Sequence, residues 1–196
     1  MRHHHLGKKQ SLIFIRHSLS QVDFTLPANQ WHLSEEGFRR LSLVPPYLSG
    51  YGLTRIVSSQ EPKALETAQT LAQSIHLNLE VRIGLHEHLR PQVMSFSVDQ
   101  FESQVAAFFT FPDQLVFGSE TADQAFRRFS GAINQLISDY PSENLAIVSH
   151  GTVISLFVSR LTGSEPFGFW KQLGMPALVF FSLPDFHLQL VIESIQ

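Results

Sequence analysis

Three short stretches of the sequence carry side chains suited to handling a phosphate group: Arg16-His17, Lys63, and His150-Gly151. A neutral imidazole is a competent nucleophile toward phosphorus. The phosphate dianion approaching it needs several donors and cations to hold it in line and to neutralise developing charge. Arg16 offers a planar fork matched to phosphate oxygens. Lys63 adds a point charge, with free amide donors expected at its helix N-terminus, and a protonated His150 would add a third cation. At an effective dielectric of about 20, each unit-charge contact near 4 Å contributes about 4 kcal/mol before desolvation is subtracted. Such an arrangement requires no metal and no cofactor.

These residues matter only if the fold brings them together. Leu12 to Ile15 is a short apolar run ending at Arg16-His17, as expected of a strand buried on both faces. Arg55 to Val57 is a second short strand and leads into Ser58-Ser59. Leu145 to Ser149 is another buried strand and ends at His150. Between them lie helical patterns. Ser34-Glu35-Glu36 opens a helix that Pro45-Pro46 must break. Pro62 starts a helix with Ala64, Leu65, Ala68, Leu71, Ala72 and Ile75 at three- and four-residue spacing. Further helices are expected from Gln100 to Phe109, from Thr121 to Asp139 and from Val153 to Leu161.

Leu79, Val81 and Ile83 alternate as a further strand. Ala177 to Leu183 and His187 to Ile192 make a terminal hairpin. Alternating strands and helices predict an α/β fold, a three-layer α/β/α sandwich with a mostly parallel central sheet. In such sheets ligands sit at the carboxyl ends of the strands, where Arg16-His17, Ser58-Ser59 and Ser149-His150 fall. Residues 11–196 read as one domain, and residues 1–10, with their Met-Arg-His-His-His start, as an N-terminal extension of native or tag origin.

Composition narrows the partners. The chain has 196 residues, of which 16% are charged, against about 25% in typical proteins. Fourteen cations among seventeen anions leave no basic face for nucleic acid. No apolar run approaches the roughly 20 residues of a membrane helix. With no cysteine, disulfide and thiolate chemistry are out of reach, and a cytoplasmic protein is the default expectation. There is no Walker loop, Rossmann glycine pattern, Gly-x-Ser-x-Gly elbow or His-Glu-x-x-His. His86 and His88 could form half of a metal site, but no third ligand is matched to them, so they read as exposed polar residues flanking a loop and no metal is expected. Arg90 reads as a surface arginine, with substrate-anion binding the alternative. Phe108, Phe109 and Phe111 read as core or a self-association surface, with an aromatic wall over the site the alternative; a homo-oligomer is therefore open.

Taken in order, these blocks resemble the histidine phosphatase superfamily, which includes the cofactor-dependent phosphoglycerate mutases. The family's Arg-His-Gly appears as Arg16-His17-Ser18, and its Leu-Ser/Thr-x-x-Gly as Leu33 to Gly37. Its Ser-Ser-x-x-x-Arg-Ala-x-x-Thr-Ala block appears as Ser58 to Ala68. Its Gly-Glu-Ser helix start resembles Gly118-Ser119-Glu120-Thr121, with Arg128 eight residues after the glutamate. Its second His-Gly is His150-Gly151.

The resemblance implies that His17 is the nucleophile, that Arg16, Lys63 and His150 bind phosphate, and that Glu87 is the general acid and base. It implies a phosphomonoesterase acting on a small phosphorylated substrate through a phosphohistidine. A phosphomutase or a non-catalytic phosphate- or phosphoprotein-binding module is the alternative. The sequence departs from the pattern at two places. Ser18 stands where glycine is usual, adding a side chain beside the nucleophile. Lys63 stands where arginine is usual, losing the bidentate fork.

Overall fold

The computed structural model describes residues 10–90, 93 and 96–196. The N-terminal histidine run lies outside them. Among the described residues the strands are β1 (Ser11–Arg16), β2 (Arg55–Ser58), β3 (Asn78–Val81), β4 (Leu145–Ser149), β5 (Ala177–Ser182) and β6 (His187–Ile192). They form one sheet in the order β3-β2-β4-β1-β5-β6. The first four are parallel. β5 runs antiparallel to β1, and β6 closes the hairpin.

Period-two alternation splits the strands between two cores. Leu12, Phe14, Val57, Leu145, Ile147 and Val179 face one layer, built from α5 (Ala122–Asp139) and α6 (Gly151–Thr162). Ile13, Ile15, Ile56, Ala146, Val148 and Leu178 face the other, built from α1 (Glu35–Leu41), α2 (Pro45–Leu48) and α3 (Pro62–Ile75). Both faces are covered, so β1 and β4 read as continuous apolar runs. The result is the expected three-layer sandwich.

Local signals set the helix ends. The Ser34 hydroxyl accepts from the Gly37 amide and starts α1. Capping boxes at Ser97 and Thr121 start α4 (Val98–Thr110) and α5. β3 stops at Val81, and Ile83 lies beyond it, largely exposed. The short helix α7 (Pro166–Gln172) was not expected from the sequence, because seven residues with a central glycine carry little periodic signal. Glu165 starts it by accepting from the Phe167 and Gly168 amides.

Phe108 and Phe109 lie in a third apolar cluster with Val105, Phe117, Ala122, Ala125 and Leu156, whereas Phe111 is half exposed. α4 thus sits over the carboxyl end of the sheet rather than against its faces. Among the described residues, no helix is long and apolar enough to cross a membrane.

Candidate active site

Sheet register brings the two histidines together. Arg16 pairs with Ser149 across β1 and β4, and Ser58 with Val148 across β2 and β4. The ladder continues one step further, with the His17 amide donating to the Ser149 carbonyl (2.9 Å) and the Ser59 amide to the Val148 carbonyl (3.0 Å). Three chains therefore leave the sheet side by side. The His17 and His150 rings meet edge-on with centroids 5.2 Å apart, both buried.

Each ring is held differently. His17 Nδ1 lies 2.8 Å from the Ser18 carbonyl, which can only accept, so Nδ1 carries the proton and Nε2 keeps its lone pair. Burial, with the charges of Lys63 and Arg16, holds the His17 pKa well below the ordinary imidazole value. The ring is therefore neutral at pH 7. His150 Nε2 shares a 2.9 Å hydrogen bond with the Ser59 hydroxyl, and its Nδ1 is buried without a partner. Burial and Lys63 also push the His150 pKa well down, so the ring is neutral here and does not supply the third cation that a protonated His150 would add.

Ser18 does not crowd the His17 ring. Its hydroxyl turns away to donate to the Gly37 carbonyl (2.8 Å), and its amide donates to Thr67 (3.1 Å). Glycine at 151 has a plain steric cause. A Cβ there would lie 2.8 Å from the Arg16 guanidinium carbon, so any larger residue would push the guanidinium off the start of α6. One Arg16 Nη donates to the Leu173 carbonyl, while its Nε is buried and unpartnered. Burial lowers the Arg16 pKa to about 10, which leaves it charged at neutral pH.

Lys63 departs from expectation in two ways. The amides at the start of α3 are not free: that of Lys63 donates to Trp31, and those of Ala64 and Leu65 donate to Glu61. The ammonium itself is engaged, 2.5 Å from the Ala28 carbonyl and 3.1 Å from the Glu61 carboxylate. Glu61 is a buried carboxylate that the sequence reading passed over. Its other oxygen accepts from the Glu87 amide (2.8 Å) and lies 3.7 Å from His150 Nε2. Only its place two residues before Lys63, on an apolar helix start, could have drawn notice.

Glu87 belongs to a segment with neither strand nor helix. Its carboxylate accepts from the amides of His88 (2.8 Å), Thr152 (3.1 Å) and Val153 (3.3 Å), so it caps α6. Burial pushes its pKa up, but Arg90 and these amides outweigh that, and the net direction is down. The segment is clamped from outside. Arg128 donates to the carbonyls of Gly84 (2.8 Å), His86 (2.9 Å) and Glu87 (3.2 Å), and pairs with Glu120 at 2.5 Å. Glu120 in turn accepts from the Leu89 amide (3.0 Å). The block Gly118 to Thr121 and the arginine eight residues on thus position Glu87 without entering the cleft.

The flanking histidines are not an exposed pair. His88 is buried, its ring 4.2 Å from Phe108 and 4.6 Å from Phe117, with Nε2 against the Glu120 carbonyl. His86 is half-buried. Among the described residues, no three His, Cys, Asp or Glu side chains converge as a metal site would require. Arg90 is not a plain surface arginine either. It lines the same cleft as Arg16, His17, Lys63 and Glu87, a space of about 470 Å³. Its guanidinium lies 5.0 Å from the Phe101 ring centre, and its Nε is buried without a partner.

With this geometry in view, the comparisons with known proteins are direct. The sequence model of the histidine phosphatase superfamily (branch 1) matches residues 12–180, and the chain belongs to that family. It is 21% identical over 134 residues to a protein named uncharacterized phosphatase PhoE from Bacillus subtilis, covering 68% of this chain and 66% of that one. It is 24% identical over 138 residues to a probable phosphoglycerate mutase, GpmB, from Cronobacter sakazakii, covering 67% and 63%. The matched region thus spans slightly less than two thirds of either relative. Among solved structures, a phosphoserine phosphatase variant from Entamoeba histolytica with bound phosphoserine superposes with a TM-score of 0.75 at 19% identity, covering 93% of this chain and 96% of that one. A mycobacterial glucosyl-3-phosphoglycerate phosphatase gives a TM-score of 0.70 at 19%, covering 89% and 91%. These structural likenesses concern the fold.

Proposed function

We propose that the protein is a phosphomonoesterase that works through a phosphohistidine on His17. The observation that carries this reading is the fixed tautomer of His17: a buried neutral ring gives its only N–H to Ser18 and keeps Nε2 free, in a cleft shared with Arg16, Lys63, Glu87 and Arg90. Nε2 attacks phosphorus in line as the ester oxygen departs. Arg16 and Arg90 neutralise the phosphoryl oxygens, Arg90 supplying the second guanidinium that the lysine at 63 does not. His150, with its unpartnered Nδ1, is a further donor to the same group.

Glu87 is ionised in the free enzyme. A phosphate dianion beside it raises its proton affinity. The protonated form gives its proton to the leaving oxygen, then takes one from the water that attacks the phosphohistidine. Inorganic phosphate is released and His17 is restored.

The test is trapping of acid-labile phosphate on the wild type and on His17→Ala, with an aryl phosphate as donor. Labelled wild type and a loss of turnover of more than about 10³-fold in the variant are expected. Activity that survives in His17→Ala, or is abolished in the wild type by a chelator, overturns the mechanism. A mutase, the reading favoured by the name of one relative, is separated by isomerisation of 3-phosphoglycerate in the presence of a bisphosphorylated primer.

A further inference from the structure

Apart from the charged groups gathered near His17, the described polar lining of the cleft is the hydroxyls of Ser20, Ser97 and Thr152. Above Arg16, His17 and Lys63 its walls include Leu19, Val22, Phe24, Leu26, Trp31 and Phe101, with Trp170 and Met175 beyond. Phe24 is 67% exposed and Val22 47%, a concentration of apolar surface on one short loop that the core does not use.

Asp23, Thr25 and Trp31 make their side-chain hydrogen bonds within this region. Asp23 accepts from the Thr25 amide (2.8 Å) and hydroxyl (2.6 Å). The Trp31 indole N–H donates to the carbonyls of Asp23 (2.9 Å) and Leu26 (3.2 Å). Trp31 therefore has no donor left to offer and presents its ring. A polyhydroxylated group placed against these rings would lose more water than the few hydroxyls of the lining, Ser20 and Ser97, could replace, whereas an apolar one would release the water that covers the rings.

We propose that the substrate is a phosphomonoester of a predominantly apolar alcohol, its alkyl or aromatic body held between the 22–26 loop, Trp31 and Phe101 while the phosphate meets Arg16 and His17. This deepens the phosphatase reading and rests on it. The occupant follows from continuity, since these walls rise directly from the floor that holds the nucleophile.

The test compares four esters of primary alcohols, so that leaving ability differs little: hexyl phosphate and 2-phenylethyl phosphate against glycerol phosphate and the primary phosphate of glucose. The apolar pair is expected to have kcat/KM at least tenfold higher, mostly through KM. Phe24→Ser and Leu26→Ser, at partly exposed positions, are expected to shrink that ratio at least threefold. Equal values across the four, or a preference for the polyols, overturn the apolar class and leave the phosphatase standing. A flat panel together with a dimer that Phe24→Ser converts to monomer assigns the loop to a second copy and likewise overturns the proposal. If none of the four esters is hydrolysed, the phosphatase reading falls and this one with it.

Discussion

The two halves of the cleft floor are held by different means. His17 and His150 leave the ends of β1 and β4, where the ladder and two helical layers fix the backbone. Glu87 and Arg90 lie on a segment without strand or helix, held by the Arg128–Glu120 pair and by His88 seated among Phe108 and Phe117. The halves touch at Glu61, which binds the Glu87 amide and lies beside His150 and Lys63. His17, the proposed nucleophile, thus rests on the sheet, and Glu87, the proposed acid–base group, on a part that a few side chains can release. The difference suits the chemistry: attack demands a fixed line to phosphorus, while proton transfer must serve first the leaving oxygen and then water.

The largest effect should come from separating the halves. Arg128→Met leaves Glu120 buried and unpaired and frees three backbone carbonyls, at a cost of about 3 kcal/mol in chemical denaturation. Turnover should fall about 100-fold while inorganic phosphate still binds, because the strand-end groups are untouched. Phosphate binding that falls in step with turnover would show that the two halves are one unit.

Acid should attack the second anchor. Burial, with Arg90, lowers the His88 pKa to about 4, against 6.5 for a free imidazole. A depressed value means that the unfolded chain binds more protons in that window. The stability His88 contributes is therefore complete above about pH 6.5 and is lost as pH falls toward 4. His17 and His150, also depressed, act in the same direction. Urea denaturation at pH 7 and pH 4.5 should show the loss, about 2 kcal/mol of it from His88 alone, and His88→Gln should recover that part. An unchanged pH slope in the variant would exclude His88 as the titrating anchor.

Smaller effects belong to the point of contact. Glu61→Gln keeps an acceptor for the Glu87 amide but removes a negative charge from beside Lys63 and His150. Inhibition by product phosphate should tighten about tenfold, corresponding to about 1.4 kcal/mol. Weaker inhibition would mean that Glu61 is needed to hold Lys63 in place. Lys63→Arg should retain activity or raise it a few-fold in kcat/KM, since the fork suits phosphate. Complete loss would show that the lysine has a role of its own through Ala28 and Glu61.

The sheet half was legible because its signals are local. A buried parallel strand announces itself as an apolar run, and a polar residue ending it stands at the sheet edge whatever else the chain does. The loop half was legible only in part. The family blocks point to Glu87, but no short-range pattern says that Arg128, 41 residues on, will bind its carbonyl. Ser18 and Arg90 show the same limit in opposite directions. The serine next to His17 turns its hydroxyl away, and the arginine that reads as surface enters the cleft.

By itself, then, the sequence determined the layer order, the strand ends where chemistry can occur, the family, and the residues His17 and His150, because periodicity and short motifs depend on neighbours in the chain. The tertiary structure alone decided protonation, partners and shape. Burial by remote elements makes both histidines neutral, the Ala28 carbonyl and Glu61 tie down Lys63, and remote loops and helices together give the cleft its apolar walls.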